Sequence, residues 1–599
     1  MVIRSSDKVK LRFGLYLVVA LYHQNKYVFG SAVRLKLLHF ELVYGWLIVF
    51  QPSHMNRKRR YILYRGLYFV GLLLWHTSMF SQLHSVILGR PTSNSVTVSV
   101  LFNVNTEYFI EAGATPGNLN RSFGPYQSVA GIPDETDITG LPAASVTYYR
   151  LKYRGTSSLP YSYTATYQFQ TQRASNSTFT FTLESDEHLY DIKGVVSLYR
   201  ITLQNQAADQ PDFMMSLGDI FGDDHEPFTI TAAELDSLHK YYRPLLGGIC
   251  HSIPFYVCLG NHEGEKRYYL SKPVDSNMAI PATLARKKYY PNPYPNGFYT
   301  GNDSAELNGI GLPENYYAWT WGDALFVVLD VYRFDCDTTP KPHNWDWSLG
   351  IRQYKWLKAT LESSQAKYKF VFAHHTRGEG RGGILTALQN EWGGYQNATG
   401  LVGNNYTFPV RRPASEGWTK PIHQLFKDNK VSVFFQGHDH VFAHEMLDSI
   451  TYQALPMAAD STYKIGMLAN SGAYVSDTLD GSGHIRVTVN PAFTTVDFVR
   501  AYLPKDTLAI HKNREVAFSY KIRAKDTYVF SGSGNWSNPD NWLDKAVPPA
   551  VLPAGYSVYI AHPAGGQCLL DSIQRMSPGS NLIIQEQRKL IIPGELIIL

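Results

Sequence analysis

The chain has 599 residues, and its composition excludes several classes of protein. Hydrophobic residues make up 44% and charged residues 18%, which excludes a disordered chain or a long coiled coil. A mean hydropathy of −0.21 excludes a protein with many membrane spans.

The net charge of +5 is concentrated at the start of the chain. Residues 1–81 contain 12 Lys and Arg and two acidic residues, so the other 518 residues carry 43 basic and 48 acidic side chains. A protein that binds nucleic acid needs a basic surface to neutralise phosphates. We therefore expect no nucleic-acid binding.

Residues 55–81 have the layout of a secretory signal peptide. The basic stretch Met55–Arg60 precedes an apolar run, Gly66–Trp75, and small residues follow it. The run is shorter than the roughly 20 residues that cross a bilayer as a helix. We predict a secreted, periplasmic or cell-surface protein, most typical of bacteria, with no stable membrane span once the signal is removed.

Residues 1–54 match no targeting pattern, because charged residues and histidines interrupt their apolar stretches. We interpret them as a non-native or untranslated extension that precedes a start at Met55. A genuine N-terminal membrane segment is the alternative.

Residues 83–172 have the pattern of a β-sandwich. Val96, Val98 and Val100 alternate with other residues at the period of a strand. A Leu-Pro turn and a Tyr-rich strand follow within residues 137–150, and this segment resembles a corner of fibronectin type III modules. We predict a fibronectin type III-like domain here.

Residues 176–525 alternate apolar strands with helical stretches, which indicates an α/β domain. One helix is predicted to begin at Thr231, where Thr231 and Glu234 have the spacing of a capping box. Trp319 and Trp321 lie on a strand pattern and are predicted to be core residues. The predicted strands are 179–183, 213–217, 254–259, 324–329, 368–373 and 431–435.

Residues 526–599 are rich in Gly, Asn, Trp and Ile and are predicted to form a β-rich Asn-Trp module. It looks like a fragment of a parallel β-helix of the kind appended to bacterial surface enzymes, and we expect cell-surface association through it. Because the sequence ends on an apolar strand, either the module is truncated or it packs on a neighbour.

The four cysteines have no Cys-x-x-Cys spacing, so zinc knuckles and thioredoxin-type redox chemistry are not supported. One disulfide is an option in an exported protein. Buried thiols are the alternative for Cys250 and Cys258, which flank an apolar strand.

Metal-binding residue types follow five of the predicted strands. Because ligands bind beyond the carboxyl ends of strands in an open α/β sheet, we expect these segments to meet at one edge. Carboxylate, amide and imidazole groups without thiolate suit Mn, Fe or Zn. A pair of such ions about 3.5–4 Å apart can clamp a phosphoryl group during in-line displacement. The segments are Glu184–His188, Leu217–Asp219, Leu259–Glu263, Val371–His375 and Phe435–His440.

This ordered series of motifs resembles that of the calcineurin-like metallophosphoesterases, and within them the purple acid phosphatase branch. The resemblance covers about residues 85–525. It implies an N-terminal fibronectin-like β-sandwich and a central α/β metallophosphoesterase β-sandwich flanked by helices. With the C-terminal β-rich module, the predicted fold class is multidomain. The resemblance also implies two divalent metal ions, Mn, Fe or Zn, as cofactors.

The resemblance assigns a role to each motif residue. The first metal would be held by Asp186, His188 and His440. The second would be held by Asn261, His374 and His438, with Asp219 bridging the two. His262 would contact the phosphate and donate a proton to the leaving oxygen.

Further residues are weaker candidates for substrate binding. His375 would contact substrate, or it is a structural histidine packed beside a ligand. Arg377, with Arg381 in the same Gly-rich loop, would contact a phosphate, or it is a solvated loop residue. The acidic loop at 223–225 is interpreted as solvated rather than as a rim of the site.

One departure from the purple acid phosphatases affects the metal. Those enzymes have a Tyr three residues after the bridging Asp and lack the His of Asp-x-His. Here Gly222 lies three residues after Asp219, and His188 is present. A phenolate-bound trivalent iron is therefore not expected, and we predict a colourless enzyme that divalent ions stimulate.

Together with the signal-peptide pattern, the resemblance implies a secreted enzyme that hydrolyses small phosphate monoesters with a hydroxide that bridges two metals, as acid phosphatases do. A phosphodiesterase or a nucleotidase on the same site is the first alternative. A surface-attached binding protein that uses the domain as a scaffold is the second.

Overall fold

The computed structural model divides into two compact units, residues 1–82 and 83–599. The first contains a small antiparallel sheet of β1 (Val2–Ile3), β3 (Lys26–Phe29) and β2 (Ala20–His23), in that order. The predicted signal peptide, 55–81, lies outside the described residues. Those are 2–3, 20–23, 26–29, 84–190, 193–221, 230–273, 277–333, 344–376, 381–394, 407–465, 473–508 and 510–599.

Two sheets at the start of the second unit form a β-sandwich. One consists of β4 (His84–Gly89), β5 (Ser95–Phe102) and β8 (Asp134–Thr139), in the order β4-β5-β8. The other consists of β6 (Thr106–Gly113), β7 (Arg121–Ser128), β9 (Val146–Arg154), β10 (Ser162–Tyr163) and β11 (Tyr167–Gln170). Both contribute to one apolar core, so the predicted sandwich is present. Its fibronectin type III assignment stays a prediction.

The strand β5 shows how tertiary packing changes a sequence pattern. Val96, Val98 and Val100 face the sandwich core, as the alternation predicts. The polar residues between them, Thr97 and Ser99, are buried too. Arg243, on a helix of the next domain, donates from Nη2 to the Ser99 carbonyl oxygen at 2.7 Å, because that helix covers the outer face of the sheet.

The central domain contains two large sheets. The six-stranded sheet has the order β14-β13-β12-β23-β24-β25, with β12 (Phe179–Glu184), β13 (Phe213–Ser216), β14 (Phe255–Val257), β23 (Gly483–Val489), β24 (Phe493–Arg500) and β25 (Val516–Arg523). The eight-stranded sheet has the order β15-β16-β17-β18-β19-β21-β20-β22, with β15 (Thr300–Gly301), β16 (Tyr317–Trp321), β17 (Ala324–Val328), β18 (Tyr368–Phe372), β19 (Val433–Gln436), β20 (Phe442–Leu447), β21 (Ile450–Ala454) and β22 (Asp477–Leu479).

The two sheets face each other across an aromatic core. Phe181 of the first sheet packs edge-on against Phe326 of the second, with ring centroids 5.1 Å apart. Trp319 and Trp321 are buried in this core, which confirms the prediction for both. Every predicted strand of the domain is present, with ends shifted by no more than a few residues.

Helices cover the outer faces of these sheets. Helix α2 begins with the predicted capping box, since the Thr231 N–H donates to Glu234 Oε2 at 2.7 Å and the Glu234 N–H donates to Thr231 Oγ1 at 3.2 Å. Within the described ranges, no helix is both long and apolar enough to span a bilayer. The helices are α1 (Val196–Ala208), α2 (Ala232–Cys250), α3 (Arg267–Leu270), α4 (Ala279–Tyr289), α5 (Ile351–Ser363), α6 (Ile384–Ala387), α7 (Asn390–Gly393), α8 (Phe408–Arg411) and α9 (Ile422–Asp428).

The C-terminal module contains three small parallel sheets, each pairing strands from successive passes of the chain. Trp536 and Trp542 are buried in its core. This arrangement is that of a parallel β-helix and, with the two preceding domains, confirms the predicted multidomain fold class. The sheets are β26 (Thr527–Phe530), β29 (Ser557–Ile560) and β32 (Asn581–Ile584); β27 (Gly534–Asn535), β30 (Cys568–Leu569) and β33 (Leu590–Ile591); and β28 (Val551–Leu552), β31 (Ile573–Met576) and β34 (Glu595–Ile598).

The cysteines that the structure describes are free thiols. Cys250, Cys258 and Cys568 are all buried. Cys336 lies outside the described residues. Burial raises the pKa of the Cys250 and Cys258 thiols well above its usual value, so these groups are inert parts of the core.

Candidate metal centre

The five motif segments meet, but they come from two sheets rather than from one open sheet. Three of them follow the parallel strands β12, β13 and β14 of the six-stranded sheet. The other two follow the parallel strands β18 and β19 of the eight-stranded sheet. The expectation of one sheet edge therefore needs this correction: the facing sheets bring their carboxyl ends together, and the motif residues lie between them.

One group of side chains consists of Asp186, His188 and His440, all buried. The Nε2 atoms of His188 and His440 are 3.0 Å apart. Asp186 Oδ1 is 3.4 Å from His440 Nε2 and 3.8 Å from His188 Nε2. Three ligand atoms at such distances can bind one metal ion.

A second group consists of Asp219, His374 and His438. His374 Nε2 is 3.1 Å from Asp219 Oδ2 and 3.2 Å from His438 Nδ1. The same Asp219 oxygen is 3.8 Å from His188 Nε2, which belongs to the first group. Asp219 therefore lies between the two groups, where a bridging carboxylate would be needed.

The backbone of the ligand turns is left-handed at several of these residues. The φ angles are 55° at Asp186, 46° at His188, 58° at Asp219, 70° at His438 and 56° at His440. Non-glycine residues adopt this region only at a cost in free energy, and such residues cluster at functional sites. The turns thus hold neighbouring side chains in orientations that a regular strand or helix does not provide.

The turn before Asp219 also requires a glycine. Gly218 has a φ of 101°, and a Cβ atom there would lie 2.4 Å from the backbone nitrogen of Gly260. The turns after β13 and β14 can approach each other this closely only because Gly218 has no side chain. This approach brings Asp219 next to the Asn261-His262 pair.

Two buried oxygens indicate that the donor set fits a cation. Asp186 Oδ1 and Asn261 Oδ1 are buried and accept no hydrogen bond from the part of the chain that the structure describes. A buried acceptor without a donor is costly, and a metal ion removes that cost. Both residues are expected ligands, so these clustered His and Asp residues suit the binding of metal ions.

The electrostatics of the site also suit metal binding. Burial favours the neutral form of Asp186 and Asp219, yet the charges of neighbouring histidines, His374 foremost, hold the pKa of both carboxyls below the usual range. Burial lowers the pKa of His438 and His440, so both imidazoles are neutral at neutral pH, as ligands must be.

His374 responds in the opposite direction. Burial alone would lower its pKa, but the charges of Asp219 and Asp186 raise it to about 9. A proton on His374 thus offsets part of the negative charge of the two carboxylates when no cation is bound. A metal ion that binds there has to displace this proton.

Hydrogen bonds outside the cluster orient the imidazoles. His374 Nδ1 is 2.7 Å from the Leu217 carbonyl oxygen and donates to it, which directs Nε2 at Asp219. The His188 Nδ1 atom is 3.1 Å from the Tyr190 hydroxyl. Such outer contacts set the tautomer and orientation of a ligating histidine.

Glu263 supports the turns, a role that the sequence analysis did not assign. Its Oε2 accepts from the backbone N–H groups of Asp219 at 3.0 Å and Gly260 at 2.5 Å. Its Oε1 accepts from Ile220 at 2.7 Å and Phe221 at 3.2 Å. The only sequence signal was its place at the end of Gly-Asn-His-Glu, because the four donors lie on two different turns.

His262 lies at the edge of the cluster. Its backbone N–H donates to Asp219 Oδ1 at 2.8 Å, and its ring Nε2 is 3.9 Å from Asp219 Oδ2. Its side chain is 12% exposed, whereas that of His374 is fully buried. This position suits contact with a substrate, although His188, Asp219 and His262 together could also hold an ion.

The weaker substrate candidates are placed differently. His375 is buried, its ring is 4.1 Å from that of His438, and its Nδ1 is 3.2 Å from the Tyr332 hydroxyl. Arg381 Nη1 donates to the His438 carbonyl oxygen at 2.7 Å and so supports that turn. Arg377 and the acidic loop at 223–225 lie outside the described residues.

Comparison with known proteins identifies the domain that carries this centre. Residues 179–442 match the family model of the calcineurin-like phosphoesterases. The chain contains a calcineurin-like phosphoesterase domain. All the expected metal ligands and His262 fall within it, and the family predicted from the motifs is confirmed.

A solved structure, that of PhoD, shares the fold of this domain. The structure of PhoD has a TM-score of 0.53 at 17% identity, with 74% of this chain and 91% of PhoD covered. A purple acid phosphatase from seeds of yellow lupin (Lupinus luteus) has a TM-score of 0.48 at 14% identity, with 73% and 74% covered. A search of curated proteins found no match.

Proposed function

We propose that the protein is an acid phosphatase-like enzyme that hydrolyses small phosphate monoesters with two divalent ions, Mn, Fe or Zn. The observation that carries the proposal is the pair of adjoining groups that share Asp219, since a single carboxylate is 3.1 Å from His374 and 3.8 Å from His188. Asp186, His188 and His440 would hold one ion, and Asn261, His374 and His438 the other.

The metals and the protein would divide the chemistry. Bound ions would lower the pKa of a coordinated water and neutralise negative charge on the phosphoryl oxygens. The protein holds its ligands in a buried, prearranged cluster, which reduces the reorganisation needed during the reaction. The carboxyls are ionised and the imidazoles of His438 and His440 are neutral, as metal binding needs, whereas His374 has to lose its proton.

His262 would act on the substrate. Its ring borders the cluster, and its backbone N–H holds it against Asp219 Oδ1. An imidazolium in this position can hydrogen-bond a phosphoryl oxygen and donate its proton to the departing alkoxide. We assign it as the general acid.

The proposal includes export of the enzyme. The signal-peptide pattern at 55–81 supports it, and we propose a periplasmic, secreted or cell-surface location, with surface association through the C-terminal module. N-terminal sequencing of the protein recovered from an expressing cell tests this, because the mature chain should begin shortly after residue 81. A mature chain that begins upstream of Met55 would contradict it.

The activity is tested by removing one ligand from each sheet. Asp219→Asn and His438→Ala should each lower kcat/KM for nitrophenyl phosphate by about 10³-fold or more, because several kcal/mol of transition-state stabilisation are lost. Asp540→Asn, an exposed carboxylate of the C-terminal module, is the matched control and should leave the rate unchanged.

The same assay decides between the alternatives. The metal-reconstituted protein should hydrolyse nitrophenyl phosphate faster than bis-nitrophenyl phosphate, and a 5′-nucleotide should not be preferred. A reversed order would favour a phosphodiesterase or nucleotidase. A metal-reconstituted parent protein that hydrolyses none of these substrates would favour the scaffold alternative. A strong visible absorption band would contradict the predicted divalent centre.

A further inference from the structure

We propose that Tyr190 is a positioning residue that fixes His188 for metal binding from outside the ligand set. The proposal rests on the proposed function, because it concerns the same metal centre. Tyr190 lies two residues after His188 and is half-buried. Its hydroxyl oxygen is 3.1 Å from His188 Nδ1, and its ring centroid is 5.4 Å from the His188 ring.

The contact selects one tautomer of His188. The Nε2 atom faces the cluster, at 3.0 Å from His440 Nε2 and 3.8 Å from Asp219 Oδ2. An imidazole that uses the lone pair of Nε2 for a metal carries its proton on Nδ1. His188 Nδ1–H then donates to the Tyr190 hydroxyl oxygen, and the ring cannot rotate without losing this hydrogen bond.

Tyr190 does not take the place of a ligand. The two nitrogens of an imidazole ring point to different sides, and the Tyr190 hydroxyl lies on the Nδ1 side of His188. The expected metal position lies on the Nε2 side, among Asp186, His440 and Asp219. This phenol therefore orients a histidine instead of binding the ion, which agrees with a colourless centre.

The residue before Tyr190 anchors the turn in the core. Leu189 is buried in the apolar cluster formed with Tyr199 and Phe221, behind the six-stranded sheet. The aromatic ring of Tyr190 lies 5.8 Å from the ring of His262, and the His188 ring lies 5.3 Å from it. The ring of Tyr190 thus contacts the proposed general acid, while its hydroxyl contacts the ligand.

The substitution Tyr190→Phe separates these two contacts, because it keeps the ring and removes the hydroxyl. Metal should be titrated into apoprotein of full length, with Mn(II) as the probe and calorimetry or electron paramagnetic resonance as the readout. We expect one of the two ions to bind about 10–100-fold more weakly, the effect typical of a lost outer hydrogen bond to a ligand. Tyr241→Phe, at an exposed site of α2, is the control and should bind both ions like the parent protein.

Activity supplies a second readout. At saturating Mn(II), Tyr190→Phe should regain most of the parent rate and keep its ratio of rates on alkyl and nitrophenyl phosphate, because the ring still contacts His262. Thermal melting of the apoprotein, unchanged from the parent, shows that the fold is intact. Unchanged affinity at both sites, or a loss of rate that Mn(II) does not restore, would overturn the proposal.

Failure of the proposed function gives a different result. If the parent protein binds two ions but hydrolyses no phosphate ester, the proposed function is contradicted. The metal titration of Tyr190→Phe would still decide the role of Tyr190, since it does not depend on turnover.

Discussion

The two sheets of the phosphoesterase domain contribute different chemistry to the candidate metal centre. Both carboxylates among the expected ligands, Asp186 and Asp219, follow strands of the six-stranded sheet. The eight-stranded sheet contributes only imidazoles: His374, His438 and His440. Burial lowers the pKa of His374, but the charges of Asp219 and Asp186 raise it to about 9, so a proton on one sheet offsets part of the negative charge of the other. Each of the two expected metal sites takes ligands from both sheets. We call the ligands that follow the six-stranded sheet the acidic half and those that follow the eight-stranded sheet the basic half.

The supports of the two halves differ as well. On the six-stranded side, the Glu263 carboxylate collects backbone N–H groups from the turns after β13 and β14. On the eight-stranded side, the Leu217 carbonyl orients His374, and Arg381 and Tyr474 bind Asp439, the residue between two ligands. An acceptor, the Glu263 carboxylate, holds the turns of the acidic half, and a mixture of donors and acceptors holds the basic half. Three substitutions test this contrast.

The largest effect is expected at His262, which lies beside Asp219 and His188 without being assigned as a ligand. His262→Asn should retain metal and lose about 10²–10⁴-fold in kcat/KM on an alkyl phosphate, because general acid help is lost. The loss on nitrophenyl phosphate should be much smaller, since its leaving group needs no proton. Metal analysis and rates on both substrates check this. An equal loss of kcat/KM on the two substrates, or a loss of bound metal, would contradict the role of His262 as general acid.

A smaller effect is expected at Glu263, which tests the support of the acidic half. Glu263→Gln turns an amide N–H₂ group towards backbone N–H donors, and we expect the free energy of unfolding to fall by about 1–3 kcal/mol, with weaker metal binding. Urea unfolding of the apoprotein measures this. The matched control is Glu362→Gln, a surface residue paired with Lys358, which should change stability by less than about 1 kcal/mol. Equal stability of the two variants would show that Glu263 is not a support.

The smallest effect at neutral pH is expected at His239, which packs behind the acidic half. Burial lowers its pKa to about 3, and its ring lies 4.9 Å from that of Phe221 and stacks on Tyr289. The unfolded chain binds a proton near pH 6.5, so folding stability from neutral His239 is lost as pH falls from 6.5 towards 3. His239→Phe should therefore lose less stability than the parent between pH 7 and pH 5.

Unfolding at both pH values measures that difference. Phe keeps the stacking on Tyr289, so stability at pH 7 should change little. Parallel stability curves for the parent and the variant would contradict a neutral buried His239. Activity at pH 7 serves as the control, because this residue does not contact the metal centre.

Several features of the fold and site were predictable because they are local. The apolar strands, the capping box at Thr231 and Glu234, and the burial of Trp319 and Trp321 follow from residues close together in the chain. The ordered motifs were also sufficient to predict the family. Each motif follows a strand directly, and the position of a side chain at the end of a strand depends little on the rest of the fold.

Other features depend on contacts between distant segments. Nothing near Glu263 in the sequence shows that three of its four donors lie more than 40 residues earlier, between Asp219 and Phe221. The burial of Ser99 depends on Arg243 of a different domain. The contact of Tyr190 with His262 likewise joins two separate turns.

The amino-acid sequence by itself determined the strands, the order of the motifs and the chemical types of the ligands. The tertiary structure decided that the motifs belong to two facing sheets, which side chains share Asp219, and which residues support them. The physical reason is that periodicity and turn chemistry act over a few residues. Charge neutralisation and the hydrogen bonds of buried groups are completed only when the two sheets pack together.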